Sequence, residues 1–482
     1  MSRIKAPQAA VSAAILGMAC YGQGTESNAD AVLVPGRQLF AAVSNTAAPL
    51  ATSTAPDEST VLASGAALDQ AAASTSNTNT QGVAGTLFHA CHSGANVGTV
   101  FQSDCDLLLR GATQDPAGVA QALSVLTPDQ VLAPRNESVQ QVSAGLGVVS
   151  MRLEGLRSAA RDQVSVTSLA AQMLRQATGG GASADLDLGR GGLFFNLKYL
   201  DTEQDRNRYT SGYDQDGLRL TLGADYRVQD NLILGLFANY ASADTSYWLN
   251  KGGMDTTTWG LGLYGTYYWD NGSFIEGSLG YDTHDYDLTR RLDYSIVVDG
   301  VRTQVRQLAI SDPDGRTFYA SLGGGYNLDV QAFTLMPSLK FNYLRNHLDS
   351  YHERISDPSA PGGGMGLAFD SQTYESFTSR LGFTIARAFS SGVGVWVPQL
   401  SLDWVHEFSA DQKQLAARFV NDLSATPLAL TTSSPDRNYF DLGIGLAGQF
   451  AQGRSAFISI NKLLGYEDIE HYSITGGVRM EF

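Results

Sequence analysis

From Gly192 to Phe482 apolar and polar residues alternate, segment after segment. In the run from Leu232, one face carries Leu232, Leu234, Leu236, Ala238 and Tyr240, and the other Ile233, Gly235, Phe237 and Asn239. The next run sets Trp259, Leu261, Leu263, Gly265, Tyr267 and Trp269 against Gly260, Gly262, Tyr264, Thr266 and Tyr268. A period of two means strand, because successive side chains leave opposite faces of a sheet. The apolar face ends in aromatic residues (Tyr226, Tyr240, Trp269, Tyr281, Tyr343, Phe450), as expected where a lipid-facing band meets headgroups. The opposite face reads as small or polar, with charges at Arg219, Asp225, Arg227, Lys340, Arg380, Asp403 and Asp441, more than a soluble core tolerates unpaired.

Strands begin near Leu193, Leu218, Leu232, Thr256, Ser273, Thr317, Phe333, Tyr374, Val393, Tyr439, Ser455 and His471. Short turns at Gln229–Asn231, Asp270–Gly272, Asn327–Ala332, Ser390–Gly392 and Ala451–Arg454 alternate with long polar loops. Those loops cover Asp201–Asp216, Ala241–Asp255, Thr283–Arg316, Leu344–Thr373 and Ser409–Asn438. A meander crossing a bilayer predicts tight turns on one side and long loops outside. A spanning strand takes ~9–11 residues, which nearly every run supplies. In lipid only a closed barrel satisfies the backbone of strands. The expected fold class is all-β: an antiparallel transmembrane β-barrel of about twelve strands over 191–482, after a helical linker and a short, largely irregular N-terminal segment.

Ahead of the barrel the pattern changes. Arg3 and Lys5, then an apolar stretch from Ala9 to Ala19 and small residues up to Ala31, read as a secretory signal over 1–31. Gly17-Met18-Ala19 before Cys20 offers a lipidated alternative. Residues 32–120 form a short segment, and its Ala-, Ser- and Thr-rich stretch to about Gly85 shows no sustained period and reads as disordered or weakly structured. In it His89, Cys91, His92 and Cys105 match no zinc spacing, so the reading is a Cys91–Cys105 disulfide, worth about 3 kcal/mol. Residues 121–190 form a helical linker. Thr127 and Gln130 suggest a capping box, and Val142, Leu146, Val149, Leu153, Leu156 and Ala160 make one apolar helical stripe.

Composition sharpens this only in places. The net charge of −16 argues against a nucleic-acid partner. No apolar run reaches the ~18 residues of a membrane helix. No nucleophile elbow, zinc-protease or phosphate-loop motif occurs, so no cofactor and no enzymatic activity are expected. Asp282 and His284 at an outer strand end are the one pairing with a catalytic alternative, although a solvated strand end looks the same.

Three pieces together resemble a type V autotransporter. Ala122 to Gln130 (A-L-S-V-L-T-P-D-Q) is similar to an element upstream of many autotransporter barrels, and the linker helix runs directly into the barrel. The last strand places Thr475, Gly477, Met480 and Phe482 in the pattern by which outer-membrane barrels are recognised for assembly. The resemblance implies a monomeric barrel that takes the Sec translocon route and is inserted into outer-membrane lipid by the barrel-assembly machinery. It displays its N-terminal segment at the cell surface of a Gram-negative bacterium. The linker would plug the pore, with Arg157 and Arg161 meeting lumenal Asp225, Glu276, Asp403 and Asp441. No Asn pair sits in the linker, so the segment is expected to stay attached. The alternative is a porin-like or structural barrel with a periplasmic N-terminal segment.

Overall fold

A computed structural model of the chain describes residues 58–128, 131, 190–451 and 453–481. Twelve long strands make the wall: β1 (Gly191–Gln204), β2 (Tyr213–Gln229), β3 (Leu232–Tyr247), β4 (Gly252–Tyr268), β5 (Ser273–Val298) and β6 (Asp314–Tyr326). They continue with β7 (Phe333–Leu348), β8 (Gln372–Ala386), β9 (Gly394–Glu407), β10 (Asn438–Phe450), β11 (Arg454–Leu464) and β12 (Ile469–Glu481). Each pairs antiparallel with its sequence neighbours, and β12 returns to β1 from Gly192↔Glu481 to Gln204↔Ile469. The ring is closed and leaves no edge to solvate.

The register explains which side chains face where. Leu234, Leu236, Trp259, Leu261 and Leu263 point out and are about half exposed or more, which in water would be a large liability and in lipid is the solvent contact. Tyr199, Tyr240, Trp259, Tyr281, Phe318, Trp404 and Phe440 band the wall toward the loops, and Tyr226, Trp269, Tyr326 and Phe333 toward the turns.

The lumen corrects one expectation. It is not simply small and polar: Phe194, Ile233, Phe237, Tyr264, Tyr319 and Leu344 form a buried apolar cluster inside. The aromatic rings lie over glycines directly across the ladder, Phe194 over Gly223, Tyr264 over Gly235, Phe237 over Gly262 and Tyr319 over Gly280. A Cβ at any of these glycines would strike the ring, so each ring fills the space its neighbour gives up. The lumenal charges are not unpaired either, as described below.

The loops are also more ordered than long polar connections. β3 runs to Tyr247 and β4 starts at Gly252, so only a tight turn remains where the sequence predicts a long polar loop over Ala241–Asp255. β5 continues to Val298 and folds back as Val301–Ser311, a hairpin standing on the barrel. Tyr351–His352, Leu367–Phe369, Gln414–Phe419 and Leu428–Thr431 form a second, four-stranded sheet. The alternation of β5 simply persists past the membrane band, with Tyr286, Leu288, Leu292, Tyr294 and Ile296 buried.

The N-terminal segment departs most from expectation. Instead of an irregular stretch, residues 58–126 fold as α1 (Glu58–Ala73), α2 (Thr78–Cys91), α3 (Val100–Gln114) and α4 (Pro116–Leu126). Local chemistry starts the last three. The Asn77 side chain accepts from the Asn79 and Thr80 amides, Thr99 from Gln102, and Asp115 from Gly118 with Pro116 in the first turn. Thr127 closes α4, its amide and hydroxyl both donating to Leu123 O, so Ala122 and Leu123 lie in this last helix. Beyond Pro128 and Val131 the expected helix capped by Thr127, and all of the apolar stripe after it, lie outside the described residues, as does the signal.

One outward row carries like charges. Asp201, Asp216, Asp244, Asp255 and Asp287 face one another in sequence across β1 to β5, beyond the aromatic band at the loop end. Burial, then the hydrogen-bonded Asp255 carboxyl, then Asp216 raise the pKa of Asp244. A carboxyl group with a raised folded-state pKa destabilises the fold above that pKa, and the penalty disappears as pH falls through it. Asp244→Asn is therefore expected to stabilise the barrel at neutral pH by about 0.2–1 kcal/mol, the scale of cross-strand charge pairs, and to add nothing once pH lies below the ordinary carboxylate range. Thermal unfolding in detergent at both pH values measures this; an equal effect at both would contradict the assignment.

Candidate functional site

The four helices and the loops share one hydrophobic core. Leu68, Val83, Leu87, Phe101, Leu108, Val119, Leu123 and Leu126 from the helices pack with Leu292, Tyr294, Ile296, Val305, Met365, Leu367, Phe419, Leu428 and Leu430 from the loops. Phe101 meets Phe419 with ring centroids 5.5 Å apart. Gly111 of α3 lies so close to Ile296 that a Cβ there would overlap its side chain. The sequence folds this way because Phe101, Cys105, Leu108 and Ala112 recur at helical spacing and are all buried. Cys91 at the end of α2 is bonded to Cys105 on this buried face of α3.

Polar contacts fix the register of helices on loops. The Asp104 carboxylate accepts from the Gly362 amide at 2.7 Å and the Gly364 amide at 2.9 Å. Burial raises its pKa, and those two amides offset part of the rise. Asn79 pairs with the edge of the strand Leu428–Thr431, accepting from Thr431 N at 2.7 Å and donating to Thr431 O at 2.9 Å, and it also donates to Tyr209 O. Asn96 donates to Asp422 at 2.7 Å and accepts from the Leu423 amide. Burial works against the Asp422 carboxylate, but hydrogen bonds from Ser424, Asn96 and the Thr426 amide outweigh it and hold its pKa below the ordinary value. At the C-terminus of α4, Arg290 donates to Leu126 O at 3.2 Å and is held by Glu353 in a buried two-point pair at 2.8 and 2.6 Å. A cation there suits the negative end of the helix, and the fork satisfies the charge it buries.

Below this lies the polar lumen. Arg219 on β2 reaches Asp282 on β5 at 3.1 Å, both fully buried, and Tyr319 donates to the same carboxylate at 3.1 Å. His284 is hydrogen-bonded to Thr258 and Thr317, each at 2.8 Å. Asp282 and His284 are thus buried in the inner wall and engaged by it, neither at a solvated strand end nor at an open rim. Asp225 accepts from Tyr264 at 2.8 Å and stands 4.0 Å from Arg479. Glu276 pairs with Lys340 at 2.8 Å, and Arg380 joins Asp441 at 2.5 Å and Asp403 at 3.5 Å. Each of the four acids expected to meet a plug therefore has a polar or ionic partner in the wall. Arg157 and Arg161 lie outside the described residues. On β12, Thr475 and Gly477 face inward and Met480 outward, while Phe482 is outside the described residues.

Reading the sequence found the disulfide cysteines but missed Asn79, Asn96, Asp104, Arg290 and Glu353. The helical spacing of Phe101, Cys105 and Leu108 was there to be seen. The partners of those five polar residues were not, since they lie on loops as distant as Gly362, Asp422 and Thr431.

Comparison with known proteins gives the following. The chain matches the Autotransporter beta-domain family over residues 193–461. It is 25% identical over 311 residues to Lipase 1 of Photorhabdus luminescens, covering 63% of this chain and 43% of that protein. It is 24% identical over 243 residues to Outer membrane protein B of Rickettsia prowazekii (strain Madrid E), covering 50% and 14%. The chain thus spans less than half the length of either relative. Among solved structures, the translocator domain of autotransporter NalP from Neisseria meningitidis superposes with a TM-score of 0.47 at 14% identity, over 67% of this chain and 97% of that one. The transport unit of autotransporter AIDA-I from Escherichia coli gives 0.44 at 16% identity, over 67% and 96%.

Asp104 tests the helix–loop contact. Asp104→Ala leaves two buried amides without an acceptor and is expected to lower the stability of the helical segment by about 2–4 kcal/mol. Asp106→Ala, on the exposed face of the same helix, should change it little. Protease resistance of the helices across a urea gradient reads the difference, and equal effects would show that the Asp104 contact is incidental.

Proposed function

Because the chain belongs to the autotransporter β-domain family, we propose that it passes its own N-terminal segment outward and keeps it displayed on the cell surface. The barrel itself lies in the outer membrane of a Gram-negative cell, closed as a single-chain ring. One observation carries the reading of export: the helices 58–126 share their core with the long loops, which stand at the outer end of such a barrel. The first residue of β1, Gly191, lies at the opposite end, opposite Tyr226 and next to the short turn before β3.

Leu126 and Gly191 thus lie toward opposite ends of the wall, which supports the proposal that the connection between them runs through the lumen. Backbone running through lipid would leave its polar groups unsatisfied, whereas a polar lumen satisfies them. Arg157 and Arg161 of this connection are proposed to meet Asp225, Glu276, Asp403 and Asp441, in competition with the wall cations that these acids already face. Arrival through the Sec translocon under a signal over 1–31 and insertion by the barrel-assembly machinery, with Thr475, Gly477, Met480 and Phe482 as the signal, complete the reading. Attachment of the segment then has two sources, the uncut connection and the shared core. Lipase 1 shares only part of its length with this chain. The hydrogen bonds of Asp282 and His284 to wall residues lend a hydrolase at the rim no support.

An epitope tag inserted ahead of Pro56 tests export. On intact cells it should be removed by added protease while a periplasmic marker survives. A tag protected until the outer membrane is opened would make the segment periplasmic and favour a porin-like barrel. Reversing the charge of both Arg157 and Arg161 is expected to lower the thermal stability of the barrel in detergent; an unchanged melting temperature would remove those two residues from the plug.

A further inference from the structure

The loops are not passive hosts. In a closed ring of twelve strands, the β1–β2 loop and the β7–β8 loop stand half a circumference apart. The helices reach both: Thr78 N donates to Arg208 O at 2.8 Å on the first, and Asp104 takes the Gly362 and Gly364 amides on the second. They are also bound to the β5–β6 hairpin, through Asp115 to Val297 N at 3.0 Å, and to the β9–β10 loop, through Asn96 and Asp422. A body held at these points around the rim lies across the opening. Directly beneath it, Tyr213, Tyr247, Met254, Tyr286, Leu288 and Leu348 form a buried apolar collar, and Tyr351 packs against both this collar and the core of the helical segment.

We infer that the ring of loops is a receptor for residues 58–126 and that the docked helices close the barrel from the loop side by themselves, independently of anything inside the lumen. Two stacked apolar layers at the mouth exclude the water file that a hydrated solute or ion needs. Placing this lid outside the cell rests on the proposed export, but the closure does not. Export needs the lumen empty of folded structure, so the lid forms last, when the helices meet the loops that complete their core. The surface element is then not a passenger released from its carrier but one half of a composite domain whose other half is the rim.

The test uses the full chain in lipid nanodiscs, where orientation in a cell does not matter. Ala243 on β3 faces inward, is buried, and lies four residues below Tyr247 of the collar. Ala243→Cys is made with Cys20→Ser, since the remaining two of the three cysteines are bonded to each other. A membrane-impermeant maleimide should label it far more slowly than Leu423→Cys, an exposed control. Adding Ile296→Asp, or Gly111→Val from the helix side, should dislodge the helices and speed labelling at Ala243→Cys by more than about tenfold, because either change breaks a packed apolar contact. Proteolysis of the helices, read in parallel with retention of the heat-resistant barrel, reports that the lid has left and the wall has not. Three results would overturn the inference: labelling of Ala243→Cys in the undisturbed lid as fast as the control, slow labelling after the helices become protease-sensitive, or helices that stay resistant in both variants.

Discussion

Backbone hydrogen bonding without water is the constraint on which this molecule depends. In the bilayer core an unpaired strand edge is prohibitively costly, so the wall has to close, and closure of β12 onto β1 fixes the rest. It sets one face of every strand to lipid and the other to a shared lumen. It allows glycine wherever an aromatic ring from the next strand fills the space, as at Phe194–Gly223 and Tyr319–Gly280. It also sends all the connections with room to grow to one end.

At that end the same backbone logic continues in water. β5 rises past the aromatic band and returns as a hairpin, and segments of the β7–β8 and β9–β10 loops pair into a small sheet of their own. These pieces bury Leu292, Ile296, Met365, Leu367 and Phe419 in one core with the helices. The helices in turn are rich in Ala, and α1 to α4 contribute small side chains, Ala72, Ala84, Ala90, Ala112 and Ala122, to the common core. A short segment with so little apolar volume is marginal by itself, since a chain of this size buries a smaller fraction of its surface than a larger domain does. Sharing a core removes that difficulty and ties the stability of the segment to the loops.

The wall was legible in the sequence because strand alternation and lipid contact act residue by residue. Leu234, Leu236, Trp259 and Leu261 declare an outward face without knowledge of their neighbours. The lumen was less legible, since pairing Tyr264 with Gly235 or Arg219 with Asp282 requires the register and the ring. The helices were read as irregular because alanine, serine and threonine carry little periodic contrast, although Val83, Leu87, Phe101, Cys105 and Leu108 do recur at helical spacing. Within the helical segment the Cys91–Cys105 bridge is legible, being a local pairing, while the helix–loop interface is not. Asp104, Asn79 and Arg290 gain their roles from distant chain segments, as Asp104 does from Gly362 and Asn79 from Thr431, and nothing in their own surroundings marks them.

The central claim is that helices and loops form a single cooperative unit on the barrel. Amide hydrogen exchange of the full chain in nanodiscs tests it most directly, because each region reports its own opening free energy. The account predicts that amides of Val100–Leu126 and of Leu288–Val298 exchange with one common protection and lose it together in mild denaturant, while the membrane band of β1 to β4 stays protected. Helices that keep their protection after the loop amides have exchanged, or loops that keep theirs after the helices have opened, would contradict it.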